Sequence, residues 1–155
     1  MGGDADLTGV AGRSGLYLAA SELHIRDVFL ARLAAEGFEG DVTPQVSARL
    51  VGATDNSIYQ RLPLAVIYPR TTEDLNRAVR AAEDGSLTLA MRGGGTGTNG
   101  QSLTAGIVVD VARYLDRILD FNPDTGHVTV EPGVVLARVK AFLKPDRKGV
   151  GEGKR

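Results

Sequence analysis

Residues 92–100 read Arg-Gly-Gly-Gly-Thr-Gly-Thr-Asn-Gly, directly after the apolar run Leu87-Thr88-Leu89-Ala90-Met91. Five glycines in nine residues let several backbone N–H groups approach one anion, because no Cβ blocks the way. Thr96, Thr98 and Asn99 add side-chain donors. A diphosphate carries about two negative charges, and such a loop holds it with hydrogen-bond donors rather than with many cations.

The segments around this loop alternate in type. Ala65-Val66-Ile67-Tyr68 reads as a short strand ended by Pro69. Thr72 opens a helix through Asp84 with Leu75, Ala78, Val79 and Ala82 as its apolar stripe, and Gly85 ends it. Leu87–Met91 is the next strand, so the three form a βαβ unit. Upstream, Leu23, Val28, Phe29, Leu30, Leu33 and Ala34 recur at helical spacing over 21–36, with Ser21 as cap and Gly37 as stop. A shorter helix is expected near 46–53, broken by Asp55-Asn56-Ser57, a turn with side-chain-to-backbone bonds. Downstream, Ile107–Val111 reads as a buried strand. Ile118–Phe121 and Val128–Glu131 flank Asn122-Pro123-Asp124-Thr125-Gly126 as a hairpin. Pro132-Gly133 leads into a last helix with Val135, Leu136, Val139, Phe142 and Leu143 on one face. The expected class is α+β. Residues 1–16 read as a disordered leader, 17–60 as an N-terminal helical segment, and 146–155 as a disordered tail.

Composition excludes several functions. A net charge of −1 gives no reason to expect nucleic acid or an anionic membrane as partner. No apolar run is long enough to span a bilayer, and the N-terminus lacks the pattern of a signal peptide. With no cysteine, disulfides, zinc–thiolate sites and iron–sulfur ligation within this chain are excluded, and a cytoplasmic location fits. His24 and His127 read as solvated residues, far apart and without the spacing of a metal site. No nucleophile–base arrangement is visible, so no catalytic residue and no metal ligand is assigned. Asp110 suits either a cofactor group at a strand end or a cap on Ala112. Arg92 suits either a phosphate or a carboxylate partner.

The loop admits other interpretations. Gly95–Gly100 matches G-x-G-x-x-G, but a dinucleotide fold needs a helix opening at its end, and Gln101–Gly106 is too short and broken for one. Gly149–Lys154 falls one residue short of a Walker A loop, has Arg155 in place of Ser or Thr, and follows no strand. A glycine-rich surface loop without ligand is the bland alternative.

Taken in order, Arg92–Gly97, Ile107–Asp110 and Val130-Glu131-Pro132-Gly133-Val134 resemble the first half of the PCMH-type FAD-binding domain of the vanillyl-alcohol oxidase/p-cresol methylhydroxylase superfamily. Thr54-Asp55-Asn56-Ser57-Ile58-Tyr59-Gln60, then Pro63 and Ala65–Arg70, narrow the resemblance to bacterial D-2-hydroxyglutarate dehydrogenases of the large FAD-linked oxidase type, over residues 22–145. The resemblance implies FAD as cofactor and makes 61–145 part of a FAD-binding domain. Gly93, Gly94, Gly95, Thr96, Gly97, Thr98 and Asn99 would hold the pyrophosphate, with Arg92 assisting, and backbone near Pro69 and Gly133 would lie by the adenosine. A 2-hydroxyacid substrate is implied only for a full-length enzyme. After Lys144-Pro145 apolar periodicity gives way to glycine and charge. The chain therefore reads as an N-terminal piece, inactive alone. The alternative is a folded, non-catalytic remnant or interaction module without cofactor, whose exposed apolar surface would favour self-association.

Overall fold

The computed structural model describes residues 18–83 and 87–144. The expected leader, the expected tail and the helix stop at Gly85 lie outside the described residues.

The first helix, α1 (Ala20–Ala35), buries Phe29 and Leu33, with Ile25 and Leu30 packed against the same core. Leu23 and Ala34, expected on that face, are exposed. At about 100° per residue they lie well round the helix from the line Ile25–Phe29–Leu33. The helix begins one residue before the expected Ser21. Ala19 is the N-cap, and its N–H donates to the Glu22 carboxylate at 2.7 Å. Gly37 stops the helix as expected: its N–H donates to Ala34 O, and the Phe38 N–H reaches back to Leu33 O at 3.2 Å.

Four strands form the main sheet in the order β1-β2-β4-β3. They are β1 (Asp41–Thr43), β2 (Ala65–Tyr68), β3 (Leu89–Arg92) and β4 (Ile107–Asp110). β2, β4 and β3 run parallel, and β1 caps the edge antiparallel to β2. Sequence periodicity misses β1, whose three residues are too few to display a period. The helix α2 (Val46–Gly52) and the βαβ helix α3 (Thr72–Ala81) complete the body. Ala65, Ile67, Ile107 and Val109 belong to the core shared with α1 and α3. Val66 and Val108 alternate with them, and Gly52 of α2 packs on that second side. A sheet covered on both faces explains why β2 and β4 read as unbroken apolar runs. Burial of one such Ile or Val is worth about 1.5–3 kcal/mol.

In α3 the Thr71 hydroxyl accepts the Asp74 N–H at 3.1 Å. Ala78 and Ala81 are buried, whereas Val79, expected in the stripe, is half exposed. Asp74 is also fully buried. Its carboxylate accepts from Glu39 N–H at 3.1 Å, Arg70 N–H at 3.0 Å and the Arg77 guanidinium at 3.0 Å. Burial alone would raise the Asp74 pKa, but these donors outweigh it and hold it below the ordinary carboxylate value.

The hairpin β5 (Ile118–Asn122) and β6 (His127–Val130) forms a separate two-stranded sheet. Asn122 Oδ1 accepts from Asp124 and Thr125 N–H, and Gly126 N–H closes the turn on Asn122 O at 2.9 Å. The last helix, α4 (Leu136–Phe142), buries none of its residues. Its Phe142 meets the Phe121 ring edge-on at 6.1 Å. The architecture is α+β, as expected. No helix among the described residues is long and apolar enough to cross a membrane.

Candidate functional site

Three parallel strands release the chain at one edge of the sheet. β2 ends there at Tyr68-Pro69, β4 at Asp110 and β3 at Arg92, where the glycine loop begins. Ligands in such sheets sit outside the carboxyl ends of the strands.

The loop contains no helix, nor does Gln101–Gly106, which reaches β4 as turns, bends and irregular chain. That removes the nicotinamide-type dinucleotide fold. Among the described residues, the amides of Gly94, Gly95, Thr96, Gly97 and Thr98 donate to no other protein group. Gly94, Thr96, Thr98 and Asn99 are exposed, while Gly93, Gly95 and Gly97 are half-buried. The first loop amide with an internal acceptor is Asn99 N–H, which donates to Gln101 Oε1 at 3.1 Å. Consecutive unpaired amides on a short glycine run form an anion-binding concavity.

The loop is ordered from outside. Arg92 donates from Nη1 to Thr54 O at 2.7 Å. Its guanidinium lies under Gly95, where an added Cβ would come within 2.3 Å of Nη2. Gly95 has φ of +66°, a conformation that L side chains rarely adopt. Ser102, buried, donates to Asp55 Oδ2 at 3.2 Å, and Asp55 Oδ1 accepts Ser57 N–H at 2.9 Å. The Ser57 hydroxyl and N–H, against a smaller effect of burial, hold the Asp55 carboxyl below its ordinary value. The turn expected at Asp55-Asn56-Ser57 is present. It also braces the glycine loop, which its sequence does not reveal.

Gly133 is buried beside the start of the loop. Its N–H donates to Leu115 O at 2.8 Å, and an added Cβ would meet Val111 O at 2.3 Å. The carbonyl of Pro132 lies 4.0 Å from the Cβ position of Gly93. The Glu131 carboxylate holds this approach in place by accepting Arg117 N–H at 2.7 Å and pairing with its guanidinium at 2.8 Å. The structure thus brings Arg92, Gly93–Asn99 and Gly133 together. Pro69 is different: it is fully buried at the end of β2, separated from β3 by β4.

Asp110 pairs in register with Arg92 and accepts Ala112 N–H at 3.0 Å, so it caps the turn after β4. Burial raises its pKa against the pull of that N–H and of Arg92. Farther along the same edge Asp41 accepts from Arg70 at 3.0 Å and from the Tyr114 hydroxyl at 2.5 Å, with Arg113 over the Tyr68 ring at 4.8 Å. This cluster pins β1 to the turn after β4, and no pattern in the sequence announces it. His24, on α1, and His127, at the start of β6, are both exposed. No group of three or more His, Asp or Glu among the described residues could hold a metal ion.

The family described as FAD binding domain matches residues 63–152. The D-2-hydroxyglutarate dehydrogenase of Escherichia coli (strain K12) is 48% identical over 120 residues, covering 76% of this chain and 12% of that protein. Its counterpart in Pantoea ananatis (strain AJ13355) is 50% identical over 120 residues with the same coverage. The chain therefore spans about an eighth of the length of these curated relatives. Among solved structures, a carbohydrate oxidase from Microdochium nivale superposes with a TM-score of 0.61 at 22% identity, over 75% of this chain and 25% of that one. That likeness shows a shared fold.

Proposed function

The chain belongs to the FAD-binding domain family, and on that premise we propose that its glycine loop is the pyrophosphate clamp of a flavin-dependent D-2-hydroxyacid dehydrogenase of the D-2-hydroxyglutarate type. The observation that carries this is the run of five amides, Gly94 to Thr98, with no internal acceptor. They supply the donors that a diphosphate needs, and the exposed Gly94, Thr96 and Thr98 leave the loop open to solvent on that side. FAD fits this donor set. Arg92 is committed to Thr54 O and stands beneath the loop, so it adds positive charge to the clamp rather than a terminal grip. Gly133 and the Pro132 carbonyl border the Gly93 end, where we place the adenosine. Pro69 contributes by fixing the end of β2, since its burial leaves little surface for a ligand.

Bound flavin supplies a hydride acceptor for oxidation of the hydroxyacid carbon. This chain's residues bind and orient it. The sequence offers no nucleophile–base arrangement, and we assign no residue of this chain to the hydroxyl proton. We therefore expect the chain by itself to hold FAD weakly and to turn over neither D-2-hydroxyglutarate nor D-lactate. Leu119, Phe121, Leu136, Phe142 and Leu143 stay exposed on the hairpin and α4, and we propose self-association through that face. A cytoplasmic location completes the assignment.

Titration calorimetry with FAD tests the clamp. Gly95→Val and Gly97→Val should each weaken binding, because a branched side chain meets Arg92 or Gln101 and shifts the backbone that presents the amides. Unchanged affinity in both variants would remove the pyrophosphate role.

A further inference from the structure

We propose that the turn spanning Thr54–Gln60 is a second wall of the cofactor site, and that Tyr59 on it stacks against the isoalloxazine ring of FAD. The proposal rests on the pyrophosphate clamp described above and adds to it the position of the flavin end.

Both tip residues of this turn are apolar and exposed: Ile58 is 95% exposed and Tyr59 59%. Exposed apolar tips are commonly mobile, but this one is tied at every level. Thr54 and Gln60 form a β-bridge across its base, and Arg61 N–H donates to Ala53 O at 2.9 Å. Ser57 N–H is held by Asp55, and Tyr59 N–H by the Ser57 hydroxyl at 3.1 Å. Arg92 and Ser102 then bind the turn to the glycine loop through Thr54 O and Asp55. A large apolar surface held this firmly in water is preorganised for a ligand.

The direction of the loop identifies the ligand's end. Its first glycine, Gly93, lies beside the Pro132 carbonyl and Gly133. Its last, Gly100, lies under the Tyr59 ring, 3.1 Å from where its Cβ would stand. A dinucleotide held by its middle on Gly94–Thr98 sends one arm toward each end. The Gly133 end offers the Pro132 carbonyl, which accepts no backbone N–H among the described residues and suits a hydroxyl or the amine of an adenosine. The Tyr59 end offers an aromatic face and an isoleucine, which suit the wider, more apolar flavin. Stacking of this kind is worth more than burial alone.

The full chain can be titrated with FAD and, separately, with ADP, following flavin emission and heat. Tyr59→Leu should weaken FAD roughly 3- to 10-fold and leave ADP within about twofold, since ADP carries no flavin. Tyr59→Phe should keep FAD affinity, yet bound FAD should emit more brightly in both variants, because a phenol quenches excited flavin by electron donation and neither replacement does. Equal loss of FAD and ADP would move Tyr59 to the adenine end or to the scaffold and overturn the proposal. FAD binding unchanged in Tyr59→Leu would do the same. Absence of both FAD and ADP binding in the unaltered chain would instead bring down the clamp itself, and the flavin wall with it.

Discussion

Gly95→Ala probes how the loop is held. At φ of +66° an alanine takes on left-handed backbone, which costs about 1–2 kcal/mol. The new methyl group would also lie 2.3 Å from Arg92 Nη2 and 2.8 Å from its Cζ, so the guanidinium must swing away. That motion gives up the 2.7 Å bond to Thr54 O. A hydrogen bond from a charged donor is worth about 1.5–3 kcal/mol, and the lower end applies because water reaches the freed groups. The substitution should therefore destabilise the fold by about 2–4 kcal/mol. Arg92→Ala removes the obstacle, so in that background Gly95→Ala should cost only the backbone part, about 1–2 kcal/mol. Urea unfolding of the four proteins, followed by circular dichroism, gives the coupling directly, and about 1–2 kcal/mol is expected. Equal costs in both backgrounds would show that the guanidinium does not lie under the loop.

Gly133→Ala should be more damaging than its size suggests, by about 3 kcal/mol. The obstructing atoms, Val111 O at 2.3 Å and Leu115 O at 2.6 Å, are backbone and cannot rotate aside, so a urea midpoint close to the parent's would refute the packing. Asp74 has a pKa depressed below 3.8 in the fold, so its stabilisation is complete above the unfolded value and disappears as pH falls through the folded one. Asp74→Asn should cost about 2–4 kcal/mol at pH 7, and the gap from the parent should narrow below about pH 4; a gap that is constant with pH would rule out the ionised carboxylate as the source.

Elements with strong local chemistry are legible in the amino-acid sequence. The hairpin turn follows from Asn122 and Gly126, and β2 and β4 from apolar runs bounded by Pro69 and the loop. The glycine loop is readable as an anion cradle because its function resides in backbone atoms, and composition fixes those directly. What stays hidden depends on partners distant in sequence. Asp74 looks like an ordinary first-turn acid until Glu39 N–H arrives from 35 residues away. Ser102 and Asp55 are 47 residues apart, and only folding makes them a brace. The α4 stripe has helical period, but periodicity predicts a face without saying what covers it. Leu136 and Phe142 remain more than half exposed, with Phe121 beside the latter.

A loop with five unpaired amides has little to stabilise its own conformation, since each residue fixed in place costs about 1–2 kcal/mol of backbone entropy. Its order comes from neighbours: Arg92 below, the Asp55–Ser102 pair at the far end, and the buried Gly133 turn at the near end. That division of labour keeps the donors free, because an amide satisfied within the loop would be lost to the phosphate. It follows that substitutions in the Asp55–Ser102 brace, whose hydrogen bonds are to protein groups, should raise the entropy that FAD binding must overcome. Asp55→Ala should therefore weaken FAD and ADP alike, whereas Tyr59→Leu should weaken FAD alone. A brace variant that loosened the loop without affecting either ligand would mean that the amides are aligned by the phosphate itself, and that the surrounding contacts serve only the fold.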